Sequence, residues 1–169
     1  MYFPIFISFI ILQRILEMLL SADNEKWLRA RGAVEYGHGH YLWVLLLHTL
    51  FLYYLIVEYL VSNTPPPNKF FAGIYFLLLV LKIWTITSLG KYWNTKILRI
   101  PNVHPITKGP YRYIKHPNYW IVVGEILVIP MIFGWYAIAL LFTILNAMWL
   151  TIRIREENRA WRTLNSSRG

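Results

Sequence analysis

The chain has 169 residues, no cysteine and a formal net charge of +9, with 57% hydrophobic but only 15% charged residues. Its mean hydropathy is +0.42, and a soluble domain usually carries about 25% charged residues, so the composition excludes an ordinary soluble globule and points to lipid as the solvent. Without cysteine there is no disulfide, no thiolate metal site and no thiol nucleophile.

A helix that crosses a bilayer needs about 20 mostly apolar residues. Residues 2–20 are the first such run. No basic stretch precedes it and no small-residue cleavage site follows, so it reads as a span rather than a leader. Residues 41–61 and 70–89 are the second and third runs. Residues 119–152 are also apolar, but are broken at Pro130 and at Phe133-Gly134-Trp135. That break predicts two rather short helices in a tight hairpin. The expected fold class is all-α: an integral membrane protein of five transmembrane helices ending in a helical hairpin. It forms one domain over residues 1–169, with three helices in 1–88 and a loop, the hairpin and a tail in 89–162.

The charges fall in three blocks. Lys26, Arg29 and Arg31 follow the first helix. Lys91, Lys96, Arg99, Lys108, Arg112 and Lys115 lie between the third and fourth. Arg153, Arg155, Arg159, Arg162 and Arg168 occupy the tail. Five spans put all three blocks on one side, leaving only Lys69, in SNTPPPNK, on the other. The positive-inside rule then predicts a multi-pass cell-membrane protein with a cytoplasmic C-terminus and an external N-terminus. Topology accounts for the excess charge, so nucleic acid is not expected as a partner.

Polar groups also stand inside the apolar runs, where they must pair or face the bundle interior. Arg14 and Glu17 are three residues apart on one face, as an internal ion pair would be. Glu58 and His48 lie in the second run, and Lys82 in the third is paired or snorkels. Glu125 lies two turns into the fourth helix, as structural glue or as the lining of a substrate cavity.

Residues 101–117, PNVHPITKGPYRYIKHP, cannot form a continuous helix because of Pro101, Pro105, Pro110 and Pro117. Pro117 suits the first turn of the next helix. The N–H groups there favour an anionic group, and His116, Tyr111, Tyr113 and Tyr119 surround the spot. In RIREEN, Arg153 and Glu157 are four apart and share a helix face. A hairpin brings this cluster beside His116 and Tyr119. Such residues serve either as interfacial anchors or as a site for a zwitterionic or nucleotide-like cofactor. His38 and His40 lie near Glu35 without a second ligand pair, so no metal is expected.

The run GPYRYIKHPNY, followed by a hydrophobic hairpin and then RIREEN, resembles the isoprenylcysteine carboxyl methyltransferase family of integral membrane enzymes. The resemblance covers residues 89–162. The piece QRILEMLLSADNEKWLRARGAVEYGHGHY is similar to a short bacterial branch of that family, which includes methylation of alkylpyrones. The resemblance implies S-adenosylmethionine as methyl donor at the cytoplasmic end of the last two helices. It also implies a lipophilic acceptor that enters from the surrounding membrane lipids. The family's cofactor contacts carry over to Val103, His104, Pro105, Ile106, Tyr111, His116, Pro117, Asn118, Tyr119 and Glu157. Arg153 matches the arginine that faces the acceptor's reacting group, and His116 or Glu125 would take a proton from a less acidic acceptor. HPNY stands where the family has HPSY, Lys115 stands where arginine is common, and Glu125 has no counterpart in the prenylcysteine enzymes. The implied activity is O-methylation of an enol, phenol or carboxylate, with an alkylpyrone-type polyketide as the expected acceptor. Methylation of an isoprenylated or other lipid carboxylate is one alternative. A sterol-type membrane reductase using NADPH, which has a similar HPNY-like motif, is another; a non-catalytic membrane scaffold is the third.

Overall fold

The structure, a computed structural model, describes residues 2–37, 40–101 and 103–166, so His38 and Arg168 lie outside the described residues. Five α-helices appear among the described residues: α1 (Tyr2–Arg29), α2 (His40–Val61), α3 (Lys69–Leu89), α4 (Pro117–Ile132) and α5 (Tyr136–Ser166). Four of them are long and apolar enough to cross a membrane, and α4 is a shorter apolar helix. At 16 residues and about 1.5 Å per residue, α4 is roughly 24 Å long, less than the ~30 Å of a hydrocarbon core. The chain is thus a multi-pass membrane protein. Its outer face confirms the solvent: Leu60 is 73% exposed and Phe76 67%, a cost in water but an ordinary contact with acyl chains.

Two expectations about length need correction. The arms of the hairpin are unequal: α4 is short, as expected, but α5 runs 31 residues and continues past RIREEN, whose helical face the spacing of Arg153 and Glu157 had indicated. Similarly, α1 runs on to Arg29, so Lys26 and Arg29 stand in its last turn, not in a loop. Nothing in SADNEKWLRA breaks a helix. The first breaker is Gly32, whose φ of +77° ends the run.

The hairpin turn forms where expected. Pro130 lies in the last turn of α4, and Gly134 adopts φ +73°, a left-handed conformation that glycine takes without a Cβ penalty. The Trp135 amide then donates to the Pro130 carbonyl at 3.0 Å. Phe3 of α1 packs edge-on against Phe133 and Trp135, each ring centroid 5.2 Å away. Ile10, Leu55, Ile126, Ile129 and Ile132 complete the core around them.

One addition to the all-α description is a two-stranded antiparallel sheet of β1 (Val34–Tyr36) and β2 (Ile97–Arg99), with Glu35 opposite Leu98. It ties the connection after α1 to the connection after α3. Buried Ser21 and Asn24 reinforce that tie. Asn24 Nδ2 donates to the Trp93 carbonyl at 2.8 Å, and Asn94 Nδ2 donates to the Ser21 carbonyl at 2.8 Å. Lys96 reaches Glu25 at 2.9 Å, and Arg99 reaches Glu157. The end of α1, the loop after α3 and the late turns of α5 therefore gather at one end of the bundle.

Candidate functional site

At that end opens a cavity of about 780 Å³. The segment between α3 and α4 forms much of its rim. It turns at Gly109, whose φ is +56°, and a Cβ there would lie 2.1 Å from Ser88 Oγ of α3. The loop therefore lies against α3 at a distance only glycine allows. His116 occupies the N-cap of α4 with Pro117 in the first turn, as the sequence predicts. From α5, Asn146, Trp149, Leu150, Arg153 and Glu157 line the cavity. Their spacings of three and four residues make one helix face.

The two polar clusters meet. Tyr119 Oη donates to Glu157 Oε2 at 2.7 Å and accepts from Arg153 Nε at 3.0 Å. His116 Nδ1 lies 3.3 Å from the same Glu157 oxygen. The rings of His116 and Tyr119 stack at 5.2 Å and 16°, and the Arg153 guanidinium stands 5.5 Å from the Tyr119 centroid. Arg153 also donates to the Thr95 carbonyl, and Arg99 to Glu157 Oε1. Lys115 at the rim donates to Asn158 at 2.6 Å.

Electrostatics sharpen two of these groups. Burial pushes the His116 pKa below the ordinary imidazole value, against the smaller opposing pull of Glu157. The ring is therefore neutral near pH 7. With Nδ1–H turned to the carboxylate, Nε2 carries the lone pair, and this buried atom has no partner among the described residues. Burial likewise pushes the Tyr111 hydroxyl well above its usual range, with Glu157 adding to the effect, so Tyr111 remains a neutral aromatic face.

Val103, His104, Pro105, Ile106, Tyr111, His116, Asn118, Tyr119, Arg153 and Glu157 all line the cavity. Pro117 is buried and shapes the helix start behind the wall. Glu125 does not line the cavity, contrary to the expectation for a substrate contact. It lies on the α4 face with Ile121, Val128, Ile129 and Ile132, which turns into the bundle core. Its side chain is fully enclosed, and Oε2 is held by Arg14 at 2.8 Å and Lys82 at 2.7 Å. Sequence reasoning missed the part played by Arg99 and the Thr95 carbonyl, since only the pairing of β1 with β2 brings them to α5. It also passed over Asn146, although a lone amide in an apolar helix was a usable signal.

Residues 71–163 match the isoprenylcysteine carboxyl methyltransferase (ICMT) family. The chain is similar to the uncharacterized protein YpbQ of Bacillus subtilis, 42% identical over 161 residues, or 94% of this chain and 95% of that protein. It is also similar to an uncharacterized protein of Haemophilus influenzae, 25% identical over 151 residues and 87% of each chain. No solved structure matches it. The matched segment carries the loop, the hairpin and the Arg153–Tyr119–Glu157–His116 cluster, and the chain belongs to the isoprenylcysteine carboxyl methyltransferase family of membrane methyltransferases.

Proposed function

We propose that this chain is an S-adenosylmethionine-dependent O-methyltransferase whose acceptor is a lipophilic molecule with an acidic oxygen, an alkylpyrone-type polyketide first among such acceptors. The observation that carries the reading is the joining of the two clusters: Arg153, Tyr119, Glu157 and His116 form one bonded chain on a cavity that continues between apolar helices. A water-soluble cofactor and a lipid-soluble acceptor have to meet in such a place.

The residues fit the cofactor. The partnerless Nε2 of His116 is an acceptor for an amino or hydroxyl group. Glu157 holds three donors here, and a carboxylate has about four acceptor positions, so it also serves a ribose hydroxyl. The aromatic faces of Tyr111 and Tyr119 favour a sulfonium cation. When bound, S-adenosylmethionine supplies an electrophilic methyl carbon on sulfur. His116, Glu157, Tyr111 and Tyr119 would hold the cofactor, which would supply that methyl group to the acceptor oxygen and be left as a neutral thioether. An enol or carboxylate arrives already ionised, so no proton has to move. Arg153, held by Tyr119 and Thr95, positions the oxyanion, and alignment supplies most of the rate. Because the three basic blocks share one end of the bundle, the positive-inside rule assigns that end to the cytoplasm, where the cofactor is made.

The test is a calorimetric titration of the purified chain in detergent with S-adenosylhomocysteine and, separately, with NADPH. Saturable binding of S-adenosylhomocysteine alone is expected. Binding of NADPH alone would replace this reading with the reductase.

A further inference from the structure

The cavity does not end at the methyl-transfer cluster. It continues inward to Arg14, Glu17, Lys82, His48 and Asn146. Ionised groups at bilayer depth are costly unless paired, and here they pair with one another. Arg14 binds Glu17 at 3.0 Å and Glu125 at 2.8 Å; Lys82 binds Glu17 at 2.9 Å and Glu125 at 2.7 Å. Two cations and two carboxylates leave no net charge, so this end of the cavity has nothing to draw an ion.

Asn146 differs from these four in carrying no charge. It is 2% exposed, yet its Nδ2 has no hydrogen-bond partner among the described residues. A buried unsatisfied donor costs about 1–3 kcal/mol. Whichever way its amide is turned, it brings both a donor and an acceptor. It sits seven residues, two turns, before Arg153 on the cavity-lining face of α5.

His48 faces the same level from α2. The two helices run antiparallel there, in a register set by two ring pairs: Trp43 stacks on Trp149 at 5.9 Å, and Phe51 meets Phe142 at 5.3 Å. His48 and Asn146 both fall between those contacts. His48 Nδ1 lies 2.8 Å from the Val44 carbonyl. A carbonyl only accepts, so Nδ1 carries the hydrogen and Nε2 of the neutral ring is an acceptor. This level of the cavity thus combines an unpartnered amide nitrogen with a ring acceptor. That set complements a neutral oxygen, a hydroxyl above all, which accepts one bond and donates another.

We infer that Asn146 and His48 form a second subsite, which binds a neutral hydroxyl or carbonyl oxygen carried by the acceptor some way from the oxygen that is methylated. Two helical turns separate Asn146 from Arg153, so the two acceptor oxygens lie about 10 Å apart. The inference rests on the methyltransferase reading in that Arg153 marks the reacting end. Within the proposed acceptor class, it favours members oxygenated partway along the tail over those with a plain alkyl tail. A plain hydrocarbon tail leaves the amide unpaired.

Trp93 and Trp149 line the cavity and report its occupancy by fluorescence. The full chain in detergent is saturated with S-adenosylhomocysteine, then titrated with octadecanoate or with its mid-chain hydroxy derivative. The hydroxy acid is expected to bind about tenfold tighter, the equivalent of one added hydrogen bond. Asn146→Leu, similar in size but without the amide, is expected to bind both acids equally with S-adenosylhomocysteine affinity unchanged. Asn146→Ala carries the same expectation if the leucine variant fails to fold. Equal affinities in the wild type, including no saturable binding of either acid, would overturn the subsite. So would a preference that survives both substitutions. Failure of S-adenosylhomocysteine to bind strikes the methyltransferase reading instead, and the comparison of the two acids still decides the subsite.

Discussion

Tyr119 is the residue on which the site turns, because one hydroxyl does two jobs. It donates to a carboxylate and accepts from a guanidinium, so it fixes the spacing between the group assigned to the cofactor and the group assigned to the acceptor. His116 sits under its ring and shares its carboxylate. Burial makes the folded protein resist a proton on His116 that the unfolded chain accepts. Below the ordinary imidazole value of about 6.5 the unfolded state therefore gains protons that the folded state refuses, and stability falls with pH. Melting of wild type and His116→Gln is compared from neutral pH to about pH 5.5, across the imidazole range. The wild type is expected to lose more stability over that window, and parallel curves would show that His116 is not the group that resists.

At the scale of the element, the loop between α3 and α4 determines the rim. Gly109 is where it bears on the bundle. An alanine there faces two separate obstacles: a φ of +56°, and a methyl group driven into Ser88 Oγ at 2.1 Å and Ser88 Cβ at 2.9 Å. Together these are expected to cost about 1–3 kcal/mol and to weaken S-adenosylhomocysteine binding, because the loop carries Val103 to Ile106 and Tyr111. Ser88→Gly in the same chain removes the collision with Ser88 and leaves the backbone strain and a 3.2 Å approach to Trp84 Nε1, so it restores part of the melting temperature. No recovery would mean that the collision is not the cause. Much of this element was legible beforehand. Four prolines forbade a helix, and Pro117 marked where helix resumes. What the prolines left hidden was the surface the loop leans on. The tight approach to Ser88 and the pairing of Arg99 with Val34 are contacts across long stretches of chain. No local pattern encodes them. The true end of α1 was hidden for a different reason. Hydropathy marks where a helix leaves lipid, and DNEKWLR is polar but still a good helix former.

Across the whole molecule, the charged quartet joins what the family match divides. Arg14 and Glu17 come from α1, outside the matched segment, whereas Lys82 and Glu125 lie within it. The spacing of Arg14 and Glu17 announced their pairing; the bonds to Lys82 and Glu125 close only when α1, α3 and α4 assemble. The quartet is neutral only as a set. Glu125→Gln leaves two cations sharing Glu17, and breaking a buried ion pair from one side costs about 3–5 kcal/mol. Lys82→Met alone leaves an excess carboxylate and is expected to cost a similar amount. The double variant again has one cation, Arg14, and one carboxylate, Glu17, which still pair at 3.0 Å. It should therefore be far more stable than the sum of the two single losses predicts. Unfolding of all four proteins in mixed detergent micelles measures the coupling. Additive losses would mean that each charge is solvated on its own, and that something other than charge balance holds α1 against the methyltransferase half.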